Sequence, residues 1–177
     1  MKHKREYEIA FVGLKPGLHF YNFQIDSKFF EHFEQTDFTN PQLDVKLNLD
    51  KKSGIFLLHF EINGKITLPC DRCNEEMEWT VWDEFDLVVK IIPDEEVEQK
   101  ASIDAEVAYI GRSESILDVS GWIYEFIVLS IPMQRIHPLD QQNQSTCNPA
   151  ILKYLVDHQP TENASLKNEL EKIKKKA

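Results

Sequence analysis

The sequence predicts an α+β fold, namely a β-rich antiparallel sheet or partly open barrel with a packed helix at about 116–131 and short C-terminal helices. Three observations predict it. Leu43, Val45, Leu47 and Leu49 recur at strict period two with Asp44, Lys46 and Asn48 between them, the pattern of a strand with one buried face. The strand-like runs up to Ile92 are joined by short connections rich in glycine and asparagine, which implies an antiparallel meander. After Ile116 the apolar period becomes helical.

The elements follow in order. Glu8 to Leu14 reads as a strand that ends at the turn Lys15-Pro16-Gly17, and Leu18 to Asp26 as a half-buried strand. Ser27 is placed to cap a short helical turn through Phe29, Phe30 and Phe33. Beyond the Leu43–Leu49 strand, Asp50 to Gly54 turns the chain into Ile55–Ile62. Asn63-Gly64 is a hairpin signal, because both central positions of a type I′ turn need positive φ, and it predicts a partner strand Lys65–Leu68. Met77 to Ile92 gives a further long strand. Asp94 to Lys100 is acidic and polar and reads as a mobile, solvated loop, with an acidic recognition motif as the alternative.

From Ile116 the stripe Ile116, Val119, Ile123 and Ile127, widened by Trp122, Phe126 and Leu129, predicts a helix buried against the sheet, and Pro132 ends it. His137 to Cys147 is a polar excursion without a period. Asn148-Pro149 supplies the cap and first position of a short helix through Ile151, Leu152, Leu155 and Val156. A single domain over residues 1–160 accounts for this, followed by a charged tail at 161–177 that either forms a helix ending in Lys174-Lys175-Lys176 or frays, fraying being preferred.

Composition narrows the function. Thirty acidic against twenty basic side chains give a formal charge of −10, a field that repels a phosphate backbone. The basic start Met1 to Arg5 is not followed by the apolar run that export needs, and no stretch has the length of a transmembrane helix. Three cysteines, an odd number, do not make a disulfide framework, and a reducing cytoplasm is the expected location. The six histidines form no metalloprotease-type motif, and the six glycines form no dinucleotide or phosphate loop. The expectation is a protein that is not an enzyme, with no small-molecule substrate and no membrane partner.

One constellation carries chemistry. Cys70-Asp71-Arg72-Cys73 has the spacing at which two thiolates on a turn chelate one tetrahedral ion, and Cys147 with His137 would complete a Cys₃His zinc set if their loop folds back. Three readings compete: a structural zinc site, a thioredoxin-like redox pair, and reduced thiols in a metal-free turn. The glutamates at 75, 76 and 78 would raise a thiol pKa and count against the redox pair. The metal-free turn is preferred narrowly, because two of the four ligands sit on a long polar loop whose ordering costs entropy. Arg72 and Arg135 are the arginines placed to share a partner-binding surface.

Leu68-Pro69-Cys70-Asp71-Arg72-Cys73, an acidic spacer, and Leu117 to Ser120 continuing to Leu129-Ser130-Ile131-Pro132 resemble the YceD-like family, the large-ribosomal-RNA-subunit accumulation proteins. The resemblance runs from about Leu14 to Cys147 and rests on the Cys-x-Arg-Cys element and the helix carrying Glu125, with His137 and Cys147 matching a looser region behind it. Many family members have further cysteines there, where this chain has Cys147 alone. The resemblance implies a non-enzymatic accessory role in ribosome biogenesis, supporting accumulation of the large-subunit RNA. With the acidic balance, it implies ribosomal or ribosome-assembly proteins as partners, met through an acidic sheet face, with RNA contact indirect or weak. The competing class is a small metal-dependent or redox protein using Cys70 and Cys73.

Overall fold

The computed structural model describes residues 3–33, 37–103 and 107–157. The chain divides into two compact units, Met1–Pro69 with Glu76–Gln134, and Cys70–Glu75 with Arg135–Ala177. The tail expected at 161–177 lies outside the described residues.

The first unit is built on a five-stranded sheet of order β2 (Gly17–Ile25), β3 (Thr39–Lys52), β4 (Ile55–Pro69), β5 (Glu76–Ile92) and β6 (Val107–Gly111). It is an open sheet rather than a barrel. The first four strands pair antiparallel as consecutive neighbours, from Ile25↔Leu43 through Leu49↔Leu58 to Pro69↔Glu76. The alternation read from the sequence is the alternation of faces: Leu43, Val45, Leu47 and Leu49 are buried while Asp44, Lys46 and Asn48 point outward. At the β3–β4 turn Gly54 takes φ 74°, which a side chain rarely adopts.

Asn63-Gly64 does not turn a hairpin. Both residues lie inside β4, which runs unbroken from Ile55 to Pro69. The partner strand explains why. β3 holds an irregularity between Thr39 and Gln42, where Asn40 and Pro41 stand opposite Ile66 alone, with Asn40 at φ 49°. Gly64 has φ 150°, and a Cβ there would collide with the carbonyl oxygen of Gln42. The glycine admits a bulge by letting two backbones approach, and this long-range requirement overrides the local turn signal.

The acidic stretch expected to be a loop is a 3₁₀ turn, Asp94–Glu96, followed by a helix, Val97–Ile103. The Asp94 carboxylate accepts from the Ser113 backbone N–H (3.2 Å) and hydroxyl (3.0 Å), and Gly111 leaves room for it, since a Cβ there would strike that carboxylate. The stretch, with this helix α2, is thus the crossover to β6, which pairs parallel with β5 from Val88↔Val107 to Ile92↔Gly111.

At the amino terminus only Glu8–Ile9 is a strand, β1, and it pairs antiparallel with β7, Leu117–Asp118. That pairing moves the start of the long helix, α3, to Ser120–Leu129. Asp118 accepts from the Ser120 backbone N–H (2.9 Å) and hydroxyl (2.6 Å), so the chain leaves the strand on an Asp turn. Ile116, expected in the core stripe, is 44% exposed, whereas Val119, Ile123 and Ile127 are fully buried. Phe126 stacks on Phe85 of β5 (4.5 Å) and meets Phe60 of β4 edge-on (5.1 Å), which places α3 on the apolar face of the sheet. Beside it α1 (Ser27–Phe30) is capped by Asp26, which accepts from the Lys28 N–H (2.9 Å), rather than by Ser27. Phe29 and Phe30 join Tyr7, Phe38 and Tyr124 in an aromatic cluster. Among the described residues no helix is long and apolar enough to cross a membrane.

Candidate metal centre

The second unit is built from two polar loops. The first, Cys70–Glu75, closes the β4–β5 hairpin after the pair Pro69↔Glu76. The Cys70 N–H donates to the Glu75 carbonyl (2.9 Å) and the Asn74 N–H to the Cys70 carbonyl (2.8 Å). Asn74 closes the turn at φ 58°, a conformation that asparagine tolerates. This tight turn buries both Cys70 and Cys73.

The second loop, read from sequence as an excursion without a period, is organised by one carboxylate. Asp140 accepts from the N–H groups of Gln142 (2.9 Å) and Gln144 (2.8 Å), Asn143 takes φ 62°, and Leu139 bridges Ser145. This brings His137 and Cys147 to one end of the loop. The helix α4 (Pro149–Asp157) follows, capped by Asn148, which accepts from the Ala150 N–H (2.9 Å).

Polar clasps join the loops. The Asp71 N–H donates to the Arg135 carbonyl and the Arg135 N–H returns a bond to the Asp71 carboxylate, both at 2.7 Å. The Arg135 guanidinium lies 3.5 Å from the same carboxylate. Arg72 donates to the Ser145 hydroxyl (3.1 Å), and Asn148 to the Glu75 carboxylate (2.6 Å). Both predicted partner-binding arginines thus lie on this unit, each tied to the opposite loop. Asp71, Asn74 and Ser145 were not among the predicted site residues. The sequence signal for Asp71 and Asn74 was their place in and just after the Cys-x-x-Cys turn; Ser145 had none.

Inside the clasps the four predicted ligands meet. The donor atoms of Cys70, Cys73, His137 and Cys147 all lie within 4.8 Å of one another. The Cys70 and Cys147 sulfurs are 3.7 Å apart, and His137 Nδ1 lies 3.5 Å from the Cys73 sulfur and 3.8 Å from that of Cys147. Bonds of about 2.3 Å to sulfur and about 2.05 Å to nitrogen in a tetrahedron require edges of about 3.8 Å between sulfurs and about 3.6 Å between sulfur and nitrogen. The donor set therefore fits zinc in type, and these three edges match those of a tetrahedral site. The loop that left the metal-free turn preferred in the sequence is held by Asp140 and the clasps.

The environment favours thiolate at one position. Burial pushes the Cys70 thiol up, but the backbone N–H groups of Cys73, Arg72 and His137 are directed at its sulfur, and with the His137 ring they bring it down to about 6. Burial pushes the Cys147 thiol up.

An α+β sheet protein with a Cys₃His cluster held between two clasped loops is the class that this geometry defines. The chain matches the family model described as "Large ribosomal RNA subunit accumulation protein YceD" over residues 58–171, and it belongs to that family. The match begins within β4 and includes all four cluster residues; β1 to β3 precede it. No curated protein and no solved structure matches the chain.

Proposed function

We propose that the chain is a non-enzymatic accessory factor of ribosome biogenesis in the cytoplasm that supports accumulation of the large-subunit ribosomal RNA through protein partners. The family match over residues 58–171 carries this reading. Cys70, Cys73, His137 and Cys147 hold a zinc ion whose part is architectural: it cross-links two loops that share no apolar core. Arg72 and Arg135 lie at the clasps, where a partner reading this unit would meet them. The charge of −10 supports ribosomal or assembly proteins as the direct partners, with RNA bound weakly or through them.

The test is removal of the protein from cells. Large-subunit RNA should fall relative to small-subunit RNA, and the tagged protein should travel with large-subunit precursors on a gradient. Unchanged RNA levels together with sedimentation as free protein would refute the reading. The competing reading, a redox or metal-dependent enzyme on Cys70 and Cys73, predicts that the purified protein catalyses thiol–disulfide exchange faster than free cysteine.

A further inference from the structure

The sheet has a second face, directed away from α3, that the metal centre does not use. Phe20 and Trp82 stand on it, each 70% exposed. The register sets out three rows across it: Phe20–Asn48–His59–Asp86, Asn22–Lys46–Glu61–Glu84 and Gln24–Asp44–Asn63–Trp82. These rows hold four carboxylates and one lysine. Lys46 lies 3.8 Å from Glu61, so its charge is already engaged. Between the strands the face dips into a dish of about 290 Å³ lined by Asn22, Asp44, Lys46, Glu61, Asn63 and Trp82.

We infer that this face docks a lysine- and arginine-rich segment of a partner protein, with Trp82 and Phe20 as its anchors. The inference rests on the reading above that the chain works through protein partners. Charge complementarity selects the occupant. Carboxylates flanking an open indole suit a cation that stacks on the ring while donating to the acids, whereas they repel a phosphate backbone. Three strand spacings and four residues separate the two anchors, about 20 Å, which a short extended segment spans.

The experiment uses the full chain and a fluorescently labelled peptide of alternating lysine, arginine and glycine, read by anisotropy. The peptide binds and weakens with added salt. Trp82→Ala and Phe20→Ala each lower affinity about tenfold, the scale of an aromatic anchor. Asp44→Asn combined with Glu84→Gln weakens binding and flattens its salt dependence. These side chains are outward-facing, so thermal unfolding should be unchanged, which separates lost docking from lost fold. Equal binding by parent and variants overturns the proposal. So does an RNA oligomer whose binding is lost in Trp82→Ala. Tighter peptide binding after alanine replaces Lys174, Lys175 and Lys176 makes the chain's own tail the occupant, and dimerisation abolished by Trp82→Ala makes it a second copy; either replaces the proposal. Failure of the peptide to bind while large-subunit RNA still falls in cells lacking the protein rejects this surface and leaves the function standing.

Discussion

In the sheet unit Val45, Leu47, Leu49, Phe56, Phe60 and Ile127 are fully buried, and among the described residues every buried side chain is a carbon-rich one. In the second unit, among the described residues, the buried side chains are Cys70, Cys73 and Cys147. Of its aliphatic and aromatic groups among the described residues, Leu139, Ile151, Tyr154 and Leu155 are exposed and Ile136 and Leu152 only half-buried. The first unit is stabilised by burial of apolar area, which a large sheet with a covering helix supplies. The second is too small and too polar for that, and its core consists of sulfur. Hydrogen bonds between exposed groups contribute only about 0.5–1.5 kcal/mol each, so the clasps position the loops without accounting for their order. A metal ion held by Cys70, Cys73, His137 and Cys147 would supply the difference.

That contrast breaks first at the metal. One zinc should co-purify per chain, and chelation should abolish order in the second unit while the strand signal in circular dichroism persists. Structural zinc is worth on the order of 10 kcal/mol near neutral pH, so Cys73→Ser or Cys147→Ser should have the same effect. Thermal unfolding indifferent to chelator, with no zinc found by elemental analysis, would end the argument for a sulfur core.

The next effect belongs to the sheet unit. Ile123→Ala should cost about 2–5 kcal/mol in denaturant unfolding, because it empties space between α3 and the sheet. A cost below about 0.5 kcal/mol, the range of surface sites, would mean the helix does not pack there.

These two tests fall on features that the sequence revealed unequally. The strand faces and the buried stripe at Val119, Ile123 and Ile127 were legible because burial writes its own period into the chain. The Cys70–Cys73 pair was legible because chelation fixes a spacing. His137 and Cys147 carried no period, and what brings them in is the Asp140 loop and clasps between residues far apart in sequence. The same non-local cause hid three features of the sheet. Asn63-Gly64 answers to the bulge opposite it, Ile116 yields to the β1–β7 pairing, and the acidic stretch at Asp94 is an anchored crossover because Ser113 and Gly111 receive it.

A smaller test sharpens the bulge. Gly64→Ala should destabilise by about 1–3 kcal/mol, since both its backbone angle and the nearby Gln42 carbonyl oppose a side chain. Gly13, where a Cβ meets nothing within 4 Å, is the control. Equal effects at both would remove the bulge from the account.

The smallest effect is electrostatic. His59 Nδ1 lies 2.7 Å from the Asp86 carboxylate, and that hydrogen bond raises its pKa above the ordinary histidine value despite partial burial. A raised folded-state pKa means the pair's contribution is full below the unfolded value and is lost as pH rises through the folded one. NMR titration of the imidazole should therefore give a midpoint above that of a free histidine, and Asp86→Asn should lower it. A midpoint unchanged by that substitution would show that the contact is absent in solution.

The short pairing of β1 with β7 has a consequence in time. Strands β2 to β5 pair with neighbours in the chain and can form as they are made, because β3, β4 and β5 each pair with the strand made just before. Glu8 and Ile9 must wait for Leu117 and Asp118, and Tyr7 for the Val119 N–H that bonds its carbonyl at 3.0 Å. During synthesis β1 is therefore made long before its partner, and its edge stays unpaired, open to water and to chaperones, until β7 emerges.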